Sequence, residues 1–274
     1  MTESTRKELA AIARELRGQI VAMSHRTGAP HVGSSLSCVD IVVAAYWQAL
    51  RIDPQRPQDP DRDRFIMSKG HAAATLYAAL AARGFFPAER LAEYTKDGAD
   101  LPEHPILGCI PGVEVTTGSL GHGLSMGLGM ALAAKITARD YRVVVLMSDG
   151  ECNEGSVWEA AQFAGGRHLD RVTAIVDFNK WQATGRSEEV MALAPLADKW
   201  RSFGWSTYEV DGHDPAAVAQ ILKRVPDGSG KPVAVIAHTI KGKGVSFMED
   251  DNNWHYRIPT AEEVTRAHRE LGLL

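Results

Sequence analysis

Arg142–Gly185 reads RVVVLMSDGECNEGSVWEAAQFAGGRHLDRVTAIVDFNKWQATG, and the fold class follows from it. A continuous apolar run, Val143–Met147, delivers the chain into Ser148-Asp149-Gly150. A helical segment with small residues follows, and a second apolar run, Val172–Val176, leads into Asp177-Phe178-Asn179. Short, unbroken apolar runs of this kind suit strands buried on both faces, as in a parallel sheet covered by helices. Both runs then end in polar loops on one sheet edge, where ligands of α/β proteins bind. Asp149 and Asn179 are thereby expected side by side, as oxygen donors suited to a hard divalent cation such as Mg2+. One carboxylate, one amide and one backbone carbonyl make a weak cage, so a bound phosphate is expected to complete the coordination.

The flanking chain repeats the alternation. Thr2–Met23 has helical apolar spacing and is followed by a turn-rich loop over 24–35, then a helix over Leu36–Leu50. Phe65–Ser68 is a strand that ends at Lys69-Gly70-His71, with a helix over Ala72–Arg83. A short helix over Phe86–Tyr94 and an irregular loop over Lys96–Glu114 follow. Thr116–Gly123 opens a helix through Lys135 whose glycines would be costly on an exposed helix, which implies close backbone packing against another layer or subunit. After the central stretch come helix 194–203, strand 206–210, helix 214–225, strand 233–239 and helix 261–271. The expectation is one domain over 1–274: an α/β, doubly wound, mostly parallel sheet with helices on both faces.

Composition narrows the function. A formal net charge of −4 and the lack of a basic stripe argue against nucleic acid or a membrane surface as partner. No apolar run reaches the roughly 18 residues of a membrane span, and the charged N-terminus lacks a signal-peptide core. Three cysteines, Cys38, Cys109 and Cys152, have no metal-ligand spacing and read as reduced thiols of a cytoplasmic protein. Of ten histidines, His31, His71, His104, His122 and His255 fall in turn-rich loops, suggesting a polar pocket for proton transfer near neutral pH. Gly121-His122-Gly123 is a poor dinucleotide fingerprint, Lys241-Gly-Lys-Gly is no P-loop, and no Gly-x-Ser-x-Gly elbow occurs.

These residues together resemble the N-terminal half of transketolase, the diphosphate-binding domain of a thiamine diphosphate enzyme, in its split form. The most specific element is the Asp149-Gly150 pair with Asn179 thirty residues on. The resemblance implies that Asp149, Asn179 and the Trp181 carbonyl bind Mg2+, and that the Gly150 N–H touches the diphosphate. It further implies that His71, in Ser68-Lys69-Gly70-His71, lies by the cofactor, and that Gly118, Ser119 and Leu120 flank its rings. His31, His104 and His255 would surround the sugar, and Glu154 would lie near the domain interface and the cofactor. The chain departs from the family at Pro30-His31-Val32-Gly33, where Gly-His-Pro-Gly is usual, and at Ser148 and His122, where Gly and Gln are usual. The resemblance places the glutamate that activates the cofactor in a pyrimidine-binding domain, expected here on a partner chain in an α2β2 heterotetramer. The implied activity is two-carbon ketol transfer from a ketose to an aldehyde. The alternatives are acyloin formation or 2-oxo acid decarboxylation in a specialised pathway, and a non-catalytic cofactor-binding subunit.

Overall fold

In the computed structural model, which describes residues 1–274, five strands form one sheet in the order β1-β2-β3-β5-β4, and every pairing is parallel. The strands are β1 (Arg64–Met67), β2 (Val143–Ser148), β3 (Val172–Phe178), β4 (Ser206–Asp211) and β5 (Val233–His238). Helices α1 (Glu3–Thr27), α2 (Val32–Ser37), α3 (Val39–Ala44) and α4 (Ala73–Ala82) come first, then α5 (Gly123–Ile136) and α6 (Gly155–Gly166). The chain closes with α7 (Ser187–Val190), α8 (Leu196–Ser202), α9 (Pro215–Lys223) and α10 (Ala261–Glu270).

The apolar runs of the central stretch are continuous because both faces of the sheet are covered. Val144 and Leu146 of β2 join a core shared with α1, α3, α4 and α9. Val143, Val145 and Met147, alternating with them, join a second core with α5, α6 and α8. Helix α5 lies close to the strands at its glycines: a Cβ on Gly127 would stand 2.8 Å from Val145 Cγ2, and one on Gly123 would overlap the Ser68 side chain. The small residues of α5 thus serve sheet packing, as the sequence implied, while Gly129 faces open space.

The N-terminal segment differs from expectation. Helix α1 runs a turn beyond Met23, to Thr27, and stops at Gly28, whose φ of 69° closes the helix with an N–H···O bond to Ser24. The expected loop over 24–35 is therefore largely helical. The helix expected over Leu36–Leu50 is broken at Cys38 and ends in a π-helical turn over Ala45–Ala49. His31 starts α2 from a left-handed conformation, φ 70°, unusual for a residue with a Cβ. Such strain is characteristic of side chains held for function.

Register places the site. Ser148 of β2 is opposite Asp177 of β3, and Phe178 is opposite His238 of β5. The segments after β1, β2, β3 and β5 consequently leave the sheet at one edge, carrying Lys69 and His71, Asp149, Asn179 and Lys241.

Candidate active site

At that edge lies a cleft of about 380 Å3 whose wall includes His31, His71, His255, Leu120, Gly150, Glu154, Asn179 and Trp181. A larger groove of about 530 Å3, between α1 and the 88–92 segment, holds no comparable cluster. His104 is outside the cleft lining but packs on it, its ring centroid 4.8 Å from that of His71 and 6.2 Å from that of His31. His31 lies 4.7 Å from His71 and 5.0 Å from His255, so four loop histidines scattered over more than 220 residues form one cluster. Gly118 braces this cluster: it contacts His104, and a Cβ on Gly70 would meet the Gly118 backbone at 2.7 Å. Ser119 is exposed and outside the cleft wall, and His122 is an exposed residue at the start of α5.

Asp149 is fully buried beneath the cleft. Its Oδ1 accepts the Gly150 N–H at 2.9 Å, and its Oδ2 accepts the Lys180 N–H at 2.9 Å and the Ser187 hydroxyl at 2.7 Å. Burial pushes the carboxyl up to about 6, with Asp177 adding to the rise and the Ser187 bond opposing it. Asn179 Oδ1 accepts the Trp181 N–H at 3.0 Å, and its Nδ2 donates to Asp177 Oδ2 at 3.3 Å. The loop that follows is locked from outside. Trp181 Nε1 donates to Asp250, Arg186 pairs with Asp250 through both terminal nitrogens, and the Arg186 guanidinium lies 3.8 Å over the Trp181 ring.

This donor set fits a hard cation. A carboxylate has about four acceptor positions and three are used on Asp149; an amide oxygen has two and one is used on Asn179. The Trp181 carbonyl accepts no hydrogen bond from the chain. Asn153 Oδ1 and Gln182 Nε2, both in the cleft wall, are also buried without partners, as expected where a polar ligand completes a site. One detail departs from the sequence reading. A 3-10 turn over Gly150–Asn153, not the α-helix, follows Asp149, and the Gly150 N–H turns back to Asp149. Buried Glu151 shapes that turn, accepting the Gly121 N–H at 2.9 Å and the Ser68 hydroxyl.

Sequence reasoning missed the groups beneath the donors. Asp177 is buried and accepts from Ser37 Oγ at 2.6 Å, from the Thr239 hydroxyl and from Lys69 Nζ. Burial opposes ionisation of both Asp177 and Lys69, and their mutual attraction overrides it, holding the carboxyl low and the ammonium high. A charged residue set between Val176 and Phe178 was the available signal, because the strand runs on through it and a buried carboxylate requires a partner.

Three of the clustered histidines, His31, His71 and His255, are held neutral at pH 7. Burial first, then the neighbouring cations and imidazoles, lower His31 from 6.5 to about 3, His71 to about 4 and His255 to about 3. Between these values and 6.5 the unfolded chain binds protons that the folded chain refuses, so folding stability falls as pH drops below about 6.5. Asp149 and Glu151, both raised by burial, act oppositely over part of this window, two groups against three. The expected result is a denaturation midpoint that declines from pH 7 to pH 5, with a shallower decline in a His31→Gln, His255→Gln double variant. Parallel curves for the two proteins would contradict the assignment.

Fold and cleft together define a parallel α/β cofactor-binding domain whose ligand edge joins an oxygen-donor site to an imidazole cluster. The chain belongs to the transketolase family: the family model described as transketolase, thiamine diphosphate binding domain, matches residues 5–274. It is 42% identical over 256 residues to an apulose-4-phosphate transketolase subunit from Phocaeicola vulgatus, covering 93% of this chain and 91% of that one. It is 44% identical over 246 residues to the 6-deoxy-6-sulfo-D-fructose transketolase subunit SqwG of a Clostridium species, covering 90% of each. Among solved structures, transketolase from Leishmania mexicana superposes with a TM-score of 0.90 at 27% identity, over 99% of this chain. The chain spans 42% of that longer protein.

Proposed function

We propose that this chain is the cofactor-binding subunit of a split transketolase, moving a two-carbon ketol unit from a ketose donor to an aldehyde acceptor. One observation carries the reading: oxygen donors with open lone pairs meet three imidazoles, with a fourth packed on them, at a single cleft of the sheet edge. Asp149, Asn179 and the Trp181 carbonyl would hold Mg2+, and the cation and the polar cleft wall, Gly150 included, would hold the diphosphate. Thiamine diphosphate, when bound, supplies the carbanion chemistry. Leu120, Gly118 and Glu154 would flank the cofactor, with His71 beside it, and Ser119 would serve only through its backbone. His31, His104 and His255 would hold the sugar and move protons at its hydroxyl and carbonyl oxygens.

A second chain completes the site in this reading. Both relatives above are named as transketolase subunits and match this chain over about nine tenths of their length. The exposed apolar side chains Ile106, Leu107, Met126 and Ile136 offer surface for an obligate interface in an α2β2 assembly. The relatives' names carry a phosphorylated and a sulfonated sugar, so we place the donor among ketoses with an anionic tail. The three free thiols and the absence of a helix long and apolar enough to cross a membrane accord with a cytoplasmic enzyme. The test is reconstitution with the pyrimidine-binding partner, thiamine diphosphate and Mg2+ over a panel of ketose phosphates, ketose sulfonates and free ketoses. Turnover is expected only from the mixture; full turnover by this chain alone would refute the split site.

A further inference from the structure

His31 and His255 are neighbours in the cleft wall, and the His31 backbone N–H donates to the His255 carbonyl at 2.8 Å. Their Nδ1 atoms meet groups of opposite charge. His255 Nδ1 lies 3.1 Å from Lys241 Nζ, which is buried and donates to Asn252 Oδ1 at 2.7 Å. An ammonium has three donors and no acceptor, so His255 Nδ1 is the bare nitrogen and the ring proton sits on Nε2. Burial and Lys69 hold Lys241 down to about 8, which leaves it mostly protonated at pH 7.

His31 Nδ1 is buried with no hydrogen-bond partner, and Glu103 Oε1 stands 3.3 Å away, off the line of the ring N–H. An ionised carboxylate only accepts, so the tautomer that suits it carries the proton on Nδ1 and leaves Nε2 bare. The Glu103 side chain is 39% exposed, and His31 is the one basic group it pairs with. The other groups facing the pair are His71, His104, Tyr256 and, at longer range, Lys241 on His31, with His71, Lys69 and Tyr256 on His255.

We propose that Lys241 and Glu103 are positioning residues that set His255 and His31 in opposite neutral tautomers, one a hydrogen-bond donor and the other a proton acceptor toward the same substrate. What that substrate is, a sugar carbonyl and an adjacent hydroxyl, rests on the transketolase reading; the tautomers themselves do not. His255 Nε2–H would stabilise charge growing on the carbonyl oxygen. His31 Nε2 would take the hydroxyl proton, and Glu103 would offset the charge of the resulting imidazolium.

The test is nitrogen-15 NMR of the histidine rings in the full chain at pH 7, assigned with His31→Gln and His255→Gln. A bare Nδ1 on His255 and a bare Nε2 on His31 are expected. Lys241→Met should convert only His255 to a tautomer mixture, and Glu103→Ala only His31. The same tautomer on both rings, or variants that change neither, would overturn the proposal. In the enzyme reconstituted with its partner, Glu103→Ala should lower kcat about tenfold or more with KM within about twofold. It should also move the acidic limb of the kcat profile to lower pH, because the His31 imidazolium loses its carboxylate. An unmoved limb with unchanged kcat would count against the role. Ring nitrogens as expected in a protein with no ketol transfer would support the tautomers and reject the transketolase reading instead.

Discussion

Asp149→Asn is expected to leave the free fold nearly as stable as the parent and to abolish Mg2+-dependent binding of thiamine diphosphate. The two effects part because the carboxylate is poorly housed without a counter-charge. It is fully buried and pushed up to about 6, so its ionisation at pH 7 is a cost that asparagine does not bear. Asparagine keeps the size but loses an acceptor among the bonds to Gly150, Lys180 and Ser187, worth about 1 kcal/mol. Toward the cation the loss is far larger, since a charged donor becomes a neutral one. Changes behind a metal ligand cost about 10–100-fold in affinity, and replacing the ligand should exceed that. Thermal shifts with cofactor and Mg2+ together would read it. Ligand at a hundred times its Kd stabilises a protein by about 2.7 kcal/mol, and the variant should show none of this. A variant that still gains stability from the pair would remove Asp149 from the cation site.

Asp177→Ala should destabilise the fold itself. Asp177 is buried against Lys69, which would keep only the Ser34 carbonyl at 2.9 Å and the Ser37 hydroxyl at 3.4 Å. Breaking a buried pair from one side costs about 3–5 kcal/mol, because the surviving charge is uncompensated. Adding Lys69→Met should recover part of the loss, since the double variant buries no lone charge. Chemical denaturation of the two proteins measures both quantities. A single variant within about 1 kcal/mol of the parent would mean that the pair is not what holds this edge together. The consequence for binding is separate: Asp177 accepts from Asn179 Nδ2, so its loss frees the amide to turn its oxygen away from the cation position. Cofactor affinity should therefore fall in the double variant even where stability returns.

The strands were legible because burial on both sheet faces leaves a mark on every residue of the run, as in Val143–Met147 and Val172–Val176. Asp149, Asn179 and the four histidines were legible because polar residues at strand and helix ends are rarely needed for packing. The break at Cys38 was hidden, since Val32–Ala45 is buried almost throughout and shows no amphipathic period to betray where a helix bends. Ser119 looked like its neighbours in the loop, and only the turn of that loop carries its side chain away from the cleft wall.

By itself the sequence determined a parallel α/β domain, the sheet edge at which its candidate site lies and the residue types collected there, because periodicity and strand-end chemistry are local properties. The tertiary structure alone decided which charges meet. Lys69 and Asp177 are 108 residues apart, and Ser37 and Asp177 140 apart. His255 finds Lys241 while His31 finds Glu103, and no spacing along the chain encodes those encounters. They follow from sheet register and from the packing of loops around one edge. The roles of those side chains depend on that geometry, because a buried charge or an imidazole tautomer is defined by what stands within about 3 Å of it.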